Sequence, residues 1–159
     1  YLIANLPYYI TTPIIEKIIE SNLKFQKIVV MIQKEVGERF NAKPGMKEYN
    51  SLTVYLNYYF DLKKEFIVSR NCFIPKPNVD SIVISLVNKK DLLYLKNIDN
   101  FNKLLKDSFK FKRKTIRNNL KNYNLTIVEN VLNKYNFNLN TRAEDLPLIV
   151  FIDLSNNLA

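Results

Sequence analysis

Four consecutive residues near the start of the chain have the groups that a site for a planar nitrogenous ligand needs. They are Asn5-Leu6-Pro7-Tyr8, directly after a short apolar run. An asparagine amide and a backbone carbonyl before a proline can both accept hydrogen bonds, and a tyrosine ring can stack on a flat base. The motif therefore indicates a nucleobase site, although Asn and Pro after a strand are also ordinary turn residues.

A second candidate site is a basic segment at residues 109–119, where cations alternate with aromatic side chains. Its cations are Lys110, Lys112, Arg113, Lys114 and Arg117. This pattern is typical of a surface that binds nucleic-acid phosphates, and it also occurs on solvated helix faces. We expect the neighbouring Phe111 to pack in the core.

Composition limits the chemistry that the chain can perform. There is no histidine and a single cysteine, Cys72, which makes a zinc site, a Ser-His triad and an internal disulfide poor candidates. A lone cysteine fits a reducing compartment. The formal net charge of +9 favours a polyanionic partner, either nucleic acid or an anionic membrane surface.

The two glycines of the chain, Gly37 and Gly45, are too few and too far apart for a glycine-rich nucleoside or phosphate loop. The sequence also begins without methionine, inside an apolar run that predicts a buried strand. We therefore expect that an N-terminal part precedes Tyr1.

The Asn-Leu-Pro-Tyr motif should lie between a strand and a helix. Residues 1–4 are predicted to end a strand, and open α/β sheets bind ligands at the carboxyl ends of their strands. Thr12 is expected to cap the next helix, with Pro13 at its first position. An apolar run at 27–32 predicts a strand buried on both faces.

Further helices are predicted at about 34–40 and 51–59, and strands at 60–68 and 79–87. The last strand is also expected to be buried on both faces.

The loop between the last two strands contains Phe73, followed by Pro75 and Pro77. Because proline fixes φ, this loop should hold Phe73 in place.

A polar connector at 88–99 predicts a domain boundary. Apolar positions beyond it follow a helical period, so residues 91–159 are expected to form a helical domain after an α/β domain at 1–90.

Five motifs, in order along the chain, resemble the ribosomal RNA adenine N6,N6-dimethyltransferases that modify small-subunit rRNA. They are Asn5-Leu6-Pro7-Tyr8, Gln33-Lys34-Glu35-Val36, the loop from Phe73 to Ser81, the basic segment, and Thr141-Arg142-Ala143-Glu144. The resemblance implies the C-terminal half of a Rossmann-like class I methyltransferase domain, followed by a small all-helical rRNA-binding domain.

The resemblance also implies S-adenosylmethionine as the cofactor. The family carries a glycine-rich cofactor loop before the Asn-Leu-Pro-Tyr motif, and these 159 residues contain none. The pocket should therefore be incomplete here, and the fragment inactive alone.

Roles follow for the catalytic residues Asn5, Leu6, Pro7, Tyr8 and Phe73. Hydrogen-bond acceptors on Asn5 and Leu6 would stabilise the charge that develops on N6 of adenine, without a strong base or a metal. Tyr8 would stack on one face of a flipped adenine, and Phe73, by similarity to related methylases, on the other. Asn5 would also contact the cofactor, and the five cations would hold rRNA phosphates.

The implied reaction is dimethylation of two adjacent adenines near the 3′ end of small-subunit (16S-type) rRNA. The implied partner is this rRNA in a pre-30S-type ribosomal particle, bound by a monomer with no membrane association. The setting would be cytoplasmic, or an organelle if a targeting peptide lies upstream. Two alternatives are a large-subunit rRNA adenine methylase that confers macrolide resistance, and a non-catalytic rRNA-binding or ribosome-assembly factor.

Overall fold

The structure is a computed structural model that describes residues 1–21 and 25–158. The chain divides into two compact units, Tyr1–Asn41 with Tyr59–Lys90 and Ala42–Tyr58 with Asp91–Ala159. Residues 42–58, which were expected in the α/β domain, pack with the C-terminal helices.

The first unit is built on a four-stranded mixed sheet. Its strands are β1 (Leu2–Asn5), β2 (Lys27–Gln33), β3 (Phe60–Val68) and β4 (Ser81–Asn88). The strand order is β1-β2-β4-β3, with β1 parallel to β2 and β4 antiparallel to both of its neighbours. The predicted bounds of β3 are confirmed, and β4 begins two residues later than predicted because Asp80 still belongs to the loop.

One face of the sheet forms the core of this unit. Ile28, Val30 and Ile32 of β2 are buried, as is the corresponding face of β4. The expectation that both strands are buried on both faces is wrong for the described residues, since Val29 is half-buried and Val87 is 40% exposed. Alternate side chains of a strand point to opposite faces, and the second face is covered only in part, since Ser81 and Ser85 of β4 are buried on it.

Two helices belong to the same unit, α1 (Thr11–Glu20) and α2 (Lys34–Phe40). The bounds predicted for α2 are confirmed, whereas the prediction that Thr12 caps α1 is wrong. A 3-10 turn at Tyr8–Ile10 runs directly into α1, so the backbone is already helical before Thr12. An N-cap must have non-helical dihedral angles, which Thr12 therefore cannot adopt.

The second unit is helical. Its helices are α3 (Ser51–Tyr59, whose last residue belongs to the first unit), α4 (Ile98–Ser108), α5 (Ile116–Asn119), α6 (Leu125–Lys134) and α7 (Leu148–Leu158). Asn97 and Asn124 cap α4 and α6, each accepting two backbone N–H groups through its side-chain oxygen. The described residues include no helix long and apolar enough to cross a bilayer.

Aromatic residues tie segment 42–58 to the helical core of the second unit. The Tyr49 hydroxyl donates to the Leu146 carbonyl at 3.0 Å, and burial raises the pKa of Tyr49 well above its ordinary value. The Tyr49 ring contacts Phe109, which in turn contacts the buried Phe151. Tyr58 packs against Phe101 in the same way. Such ring pairs add stability beyond the area that they bury.

Helix α2 packs closely on β4 because residue 37 is glycine. A Cβ atom at Gly37 would overlap the Ile82 side chain and meet Ile84 at 3.5 Å. Both isoleucines are buried in the core. The missing side chain therefore sets the distance between this helix and the sheet.

We predict that Gly37→Ala destabilises the protein by about 1–3 kcal/mol, because overpacking of the core outweighs the better helix propensity of alanine. The measurement is the free energy of unfolding in urea. Glu38→Ala, at an exposed position of the same helix, is the control and should stay within about 0.5 kcal/mol of wild type. A Gly37→Ala variant at least as stable as wild type would contradict this account of the packing.

Candidate active site

A pocket of about 320 Å³ opens in the first unit, beyond the carboxyl end of β1. Its lining residues are Asn5, Leu6, Pro7, Tyr8, Phe73, Pro75 and Pro77. The fold thus brings together all five residues that the sequence analysis assigns to catalysis, from two loops almost 70 positions apart. The volume lies at the lower end of the range typical of small-ligand sites.

The acceptors of the motif are held at the end of the sheet. Asn5 is paired with Met31 across β1 and β2, and the Leu6 N–H donates to the Met31 carbonyl at 3.1 Å. The Leu6 side chain is buried, which anchors its backbone. Within residues 1–21 and 25–158, the Asn5 side chain and the Leu6 carbonyl take part in no hydrogen bond, so both can receive a donor from a ligand.

The following two residues turn the chain and place an aromatic ring at the pocket. The Pro7 carbonyl accepts from the Ile10 N–H at 3.2 Å and from the Thr11 hydroxyl at 3.1 Å. Its hydrogen-bonding capacity is therefore used within the turn. The Tyr8 ring lines the pocket, and its hydroxyl is hydrogen-bonded to the Ser81 hydroxyl at 2.6 Å.

The loop that carries Phe73 is closed by hydrogen bonds between its two ends. The Arg70 N–H donates to the Asp80 carboxylate at 2.9 Å, and the Arg70 guanidinium donates to the Asn78 carbonyl at 3.0 Å. Phe73 is half-buried at the pocket, whereas the adjacent Ile74 is fully exposed. These hydrogen bonds hold together the two ends of the loop that carries Phe73.

The basic segment comprises the turn between α4 and α5 in the second unit, together with α5, which carries Arg117. All five of its cations are exposed, and among the described residues none forms an ion pair with a carboxylate. The Lys112 ammonium donates to the Lys47 carbonyl at 2.7 Å, and the Lys110 ammonium lies 5.7 Å from the centre of the Phe111 ring. Their charges are therefore available to a polyanion.

The expectation that Phe111 packs in the core is wrong, because its side chain is 54% exposed. Helix α4 ends at Ser108, so Phe111 lies in the turn and not on the buried face of the helix. The exposed ring instead forms part of the basic surface.

Two residues that position the pocket and the basic segment were not identified from the sequence. The Asn119 amide donates to the carbonyls of Ser108 and Phe111, at 2.6 and 3.3 Å, and closes the basic turn. Ser81 holds Tyr8, as described above. The available signals were an asparagine beside a turn and a serine at the start of an apolar strand, and neither signal identifies its partner.

The pocket suits a planar ligand that carries an amino group. Two acceptors could receive the N–H groups of that ligand, and two aromatic side chains could cover its ring. The described residues contain no group of three or more His, Cys, Asp or Glu residues that could hold a metal ion.

This chain is similar in sequence to known proteins over nearly its whole length. The family model described as ribosomal RNA adenine dimethylase matches residues 1–159. The "Ribosomal RNA small subunit methyltransferase A" of Streptococcus gordonii is 43% identical over 164 residues, which cover 99% of this chain and 57% of the relative. The Bacillus pumilus protein of the same name is also 43% identical, over 99% of this chain and 56% of that protein. The chain thus spans just over half the length of these relatives.

Solved structures show the same fold. A dimethyladenosine transferase from Plasmodium falciparum superposes with a TM-score of 0.80 at 28% identity, covering 96% of this chain and 64% of that one. The 23S rRNA methyltransferase ErmE gives a TM-score of 0.73 at 20% identity, and the match covers 98% of this chain and 64% of ErmE. At this identity the likeness shows a shared fold alone. The mixed sheet followed by helices is therefore the expected arrangement, a Rossmann-like methyltransferase domain with a C-terminal helical part. Since the family model covers the whole chain, this protein belongs to the ribosomal RNA adenine dimethylase family.

Proposed function

We propose that the complete polypeptide containing residues 1–159 transfers methyl groups from S-adenosylmethionine to N6 of two adjacent adenines near the 3′ end of small-subunit rRNA. The observation that carries the proposal is the pocket in which Asn5, Leu6, Tyr8 and Phe73 converge, in a chain of the adenine dimethylase family. The small-subunit assignment is supported by the names of relatives that are 43% identical.

The proposed chemistry depends on the unengaged acceptors. The N6 lone pair of adenine is delocalised into the ring, and the nitrogen becomes positively charged as it accepts a methyl group. The Asn5 carboxamide oxygen and the Leu6 carbonyl would accept hydrogen bonds from N6 and stabilise that charge. The Leu6 carbonyl belongs to a backbone that is held at the end of β1, so little reorganisation of this group is needed when the charge forms.

The residues present would form only part of a cofactor site. S-adenosylmethionine supplies an electrophilic methyl group when bound, and of these residues Asn5 would contact it. A glycine-rich cradle is not available, because Gly37 is packed against Ile82 and Gly45, with φ +85°, lies in a turn of the second unit. The chain's own contribution is therefore the binding and orientation of the base.

Tyr8 and Phe73 would hold the adenine after it leaves the RNA stack. Stacking on an aromatic side chain contributes roughly 1–3 kcal/mol per base, comparable with the few kcal/mol needed to unstack it. The exposed cations of the basic segment would bind rRNA phosphates, which position the substrate without selecting its sequence.

The alternative functions are less well supported. The likeness to ErmE, at 20% identity, concerns the fold and gives no reason to choose large-subunit rRNA. A non-catalytic rRNA-binding factor would not need two unengaged acceptors beside a stacking ring. We further propose that the substrate is an undermethylated small-subunit particle, and that the protein acts as a monomer in the cytoplasm or the organelle where such particles are assembled.

The first test is Asn5→Ala in the complete polypeptide. Loss of one acceptor at N6 should lower kcat by at least 100-fold, because loss of one charge-stabilising group has an effect of about this size in other enzymes. The affinity for rRNA should stay nearly unchanged. Methyl transfer to undermethylated small subunits gives kcat, and a filter-binding assay gives affinity. Asn71→Ala, an exposed asparagine that does not line the pocket, is the control. Equal methylation by wild type and Asn5→Ala would contradict the role of Asn5.

A second test concerns the cofactor. Residues 1–159 alone should bind S-adenosylmethionine more weakly than about 1 mM, because they contain no glycine-rich loop. Isothermal calorimetry measures the affinity, and circular dichroism with cooperative unfolding checks that the chain is folded. Micromolar affinity of the folded chain would refute the expectation that its cofactor pocket is incomplete.

A third test addresses the basic segment. Replacing Lys112, Arg113 and Lys114 together by glutamine should weaken rRNA binding and reduce the slope of log K against log salt by about 2–3, since each phosphate contact contributes about 0.7–0.9.

The matched control carries glutamine at Lys17, Lys63 and Lys64, three exposed lysines of the first unit. It changes the net charge equally, so it separates local contacts from the overall field of the protein. An unchanged salt slope in the basic-segment variant, or equal slopes in both variants, would contradict the proposal that the basic segment binds rRNA phosphates.

A further inference from the structure

A hydrogen bond between two side chains crosses the end of the sheet beside the pocket. The Tyr8 hydroxyl lies 2.6 Å from the Ser81 hydroxyl, although the residues are 73 positions apart. Tyr8 follows β1 and Ser81 begins β4, and β2 lies between these strands. The Tyr8 side chain therefore reaches past the end of β2 to a strand that is not adjacent to its own.

Ser81 is a rigid anchor for this hydrogen bond. Its exposed fraction is 0%, and its backbone is paired with Gln33 of β2 on one side and with Val68 of β3 on the other. The Lys34 N–H also donates to the Asp80 carbonyl at 3.0 Å, immediately before it. The serine hydroxyl is one rotatable bond from this backbone, so the sheet limits it to three staggered positions, one of which makes the hydrogen bond to Tyr8.

The hydrogen bond to Ser81 restrains the Tyr8 ring. The residue is half-exposed at the start of a 3-10 turn, where χ1 has several staggered wells available. The hydroxyl lies on the long axis of the ring, so a hydrogen bond at that atom sets the direction of the axis. The ring is then held along the pocket before any ligand binds.

We propose that Ser81 is a positioning residue for the reaction, acting through Tyr8. This inference depends on the proposed function, in which the Tyr8 ring stacks on the target adenine. Ser81 does not line the pocket, so it has no contact with the base. Its hydroxyl keeps the stacking face of Tyr8 in the orientation that places N6 against the acceptors of Asn5 and Leu6.

The start of β4 holds the opposite wall of the pocket as well. Asp80, which precedes Ser81, accepts the Arg70 N–H and closes the loop that carries Phe73. Two consecutive residues therefore fix both aromatic walls to one point of the sheet. Loss of the Ser81 hydroxyl should release the Tyr8 wall alone.

The test measures kcat and KM for undermethylated small subunits with Ser81→Ala, Tyr8→Phe and the double variant of the complete polypeptide. Each single variant removes the same hydrogen bond and keeps the Tyr8 ring or its phenyl equivalent. We expect kcat to fall about 3- to 10-fold in each, the range for loss of one neutral hydrogen bond, with KM within about twofold of wild type. The double variant should be no slower than the slower single variant, because both act on one interaction.

Ser85→Ala is the matched control. Ser85 lies on the same face of β4, is also buried, and donates its hydroxyl to the Glu65 carboxylate at 2.7 Å, outside the pocket. It should leave kcat and KM unchanged. A fall in kcat equal to that of Ser81→Ala would show a merely structural effect and overturn the proposal.

The outcomes separate this inference from the proposed function. If wild type methylates adenine and Ser81→Ala is as fast, or if the effects of Ser81→Ala and Tyr8→Phe multiply, the positioning role is overturned alone. If wild type transfers no methyl group to adenine, the proposed function fails and the positioning role fails with it. Tyr8→Phe keeps Ser81 in place, so it tests the same hydrogen bond even if Ser81→Ala does not fold.

Discussion

The pairing of β4 between β2 and β3 is the interaction on which the first unit depends. An inner strand has its backbone groups engaged on both sides, and the face of β4 that carries Ile82 and Ile84 is buried in the core. Helix α2 approaches this strand closely because Gly37 has no side chain. The start of β4 is therefore held by both neighbouring strands, and the Tyr8 hydroxyl and the Phe73 loop are both hydrogen-bonded to it.

This constraint explains how a pocket built from loops can be preorganised. Loops usually carry functional residues and are more mobile than the elements that they connect. Here the Leu6 N–H is bonded to β2, the Tyr8 hydroxyl to β4, and the Phe73 loop is closed by Arg70 and Asp80. Among the described residues, the Asn5 side chain and the Leu6 carbonyl remain without a hydrogen-bond partner. Fixed dipoles of this kind can stabilise developing charge without a histidine or a metal, which suits the composition of the chain.

The second unit exposes its positively charged side chains in a different way. Its basic segment consists of a turn, which Asn119 closes through two carbonyls, and of α5. The first residues of α5, Ile116 and Arg117, donate backbone hydrogen bonds to residues 141 and 139. Exposed cations without carboxylate partners among the described residues remain able to exchange counterions for phosphates. The pocket and the basic segment thus each belong to one compact unit.

Local patterns in the sequence determined the helices at 34–40 and 51–59, the strand at 60–68, the chemistry of the Asn-Leu-Pro-Tyr motif, and the basic character of residues 109–119. The period of hydrophobic residues and the residue types predict these features because both depend on near neighbours in the chain. Tertiary structure decided the exposure of Phe111, the placement of residues 42–58 and the hydrogen bond between Tyr8 and Ser81. Each of these depends on which distant surface covers a residue or which distant group meets it, and contacts across 73 positions have no signature in a local pattern.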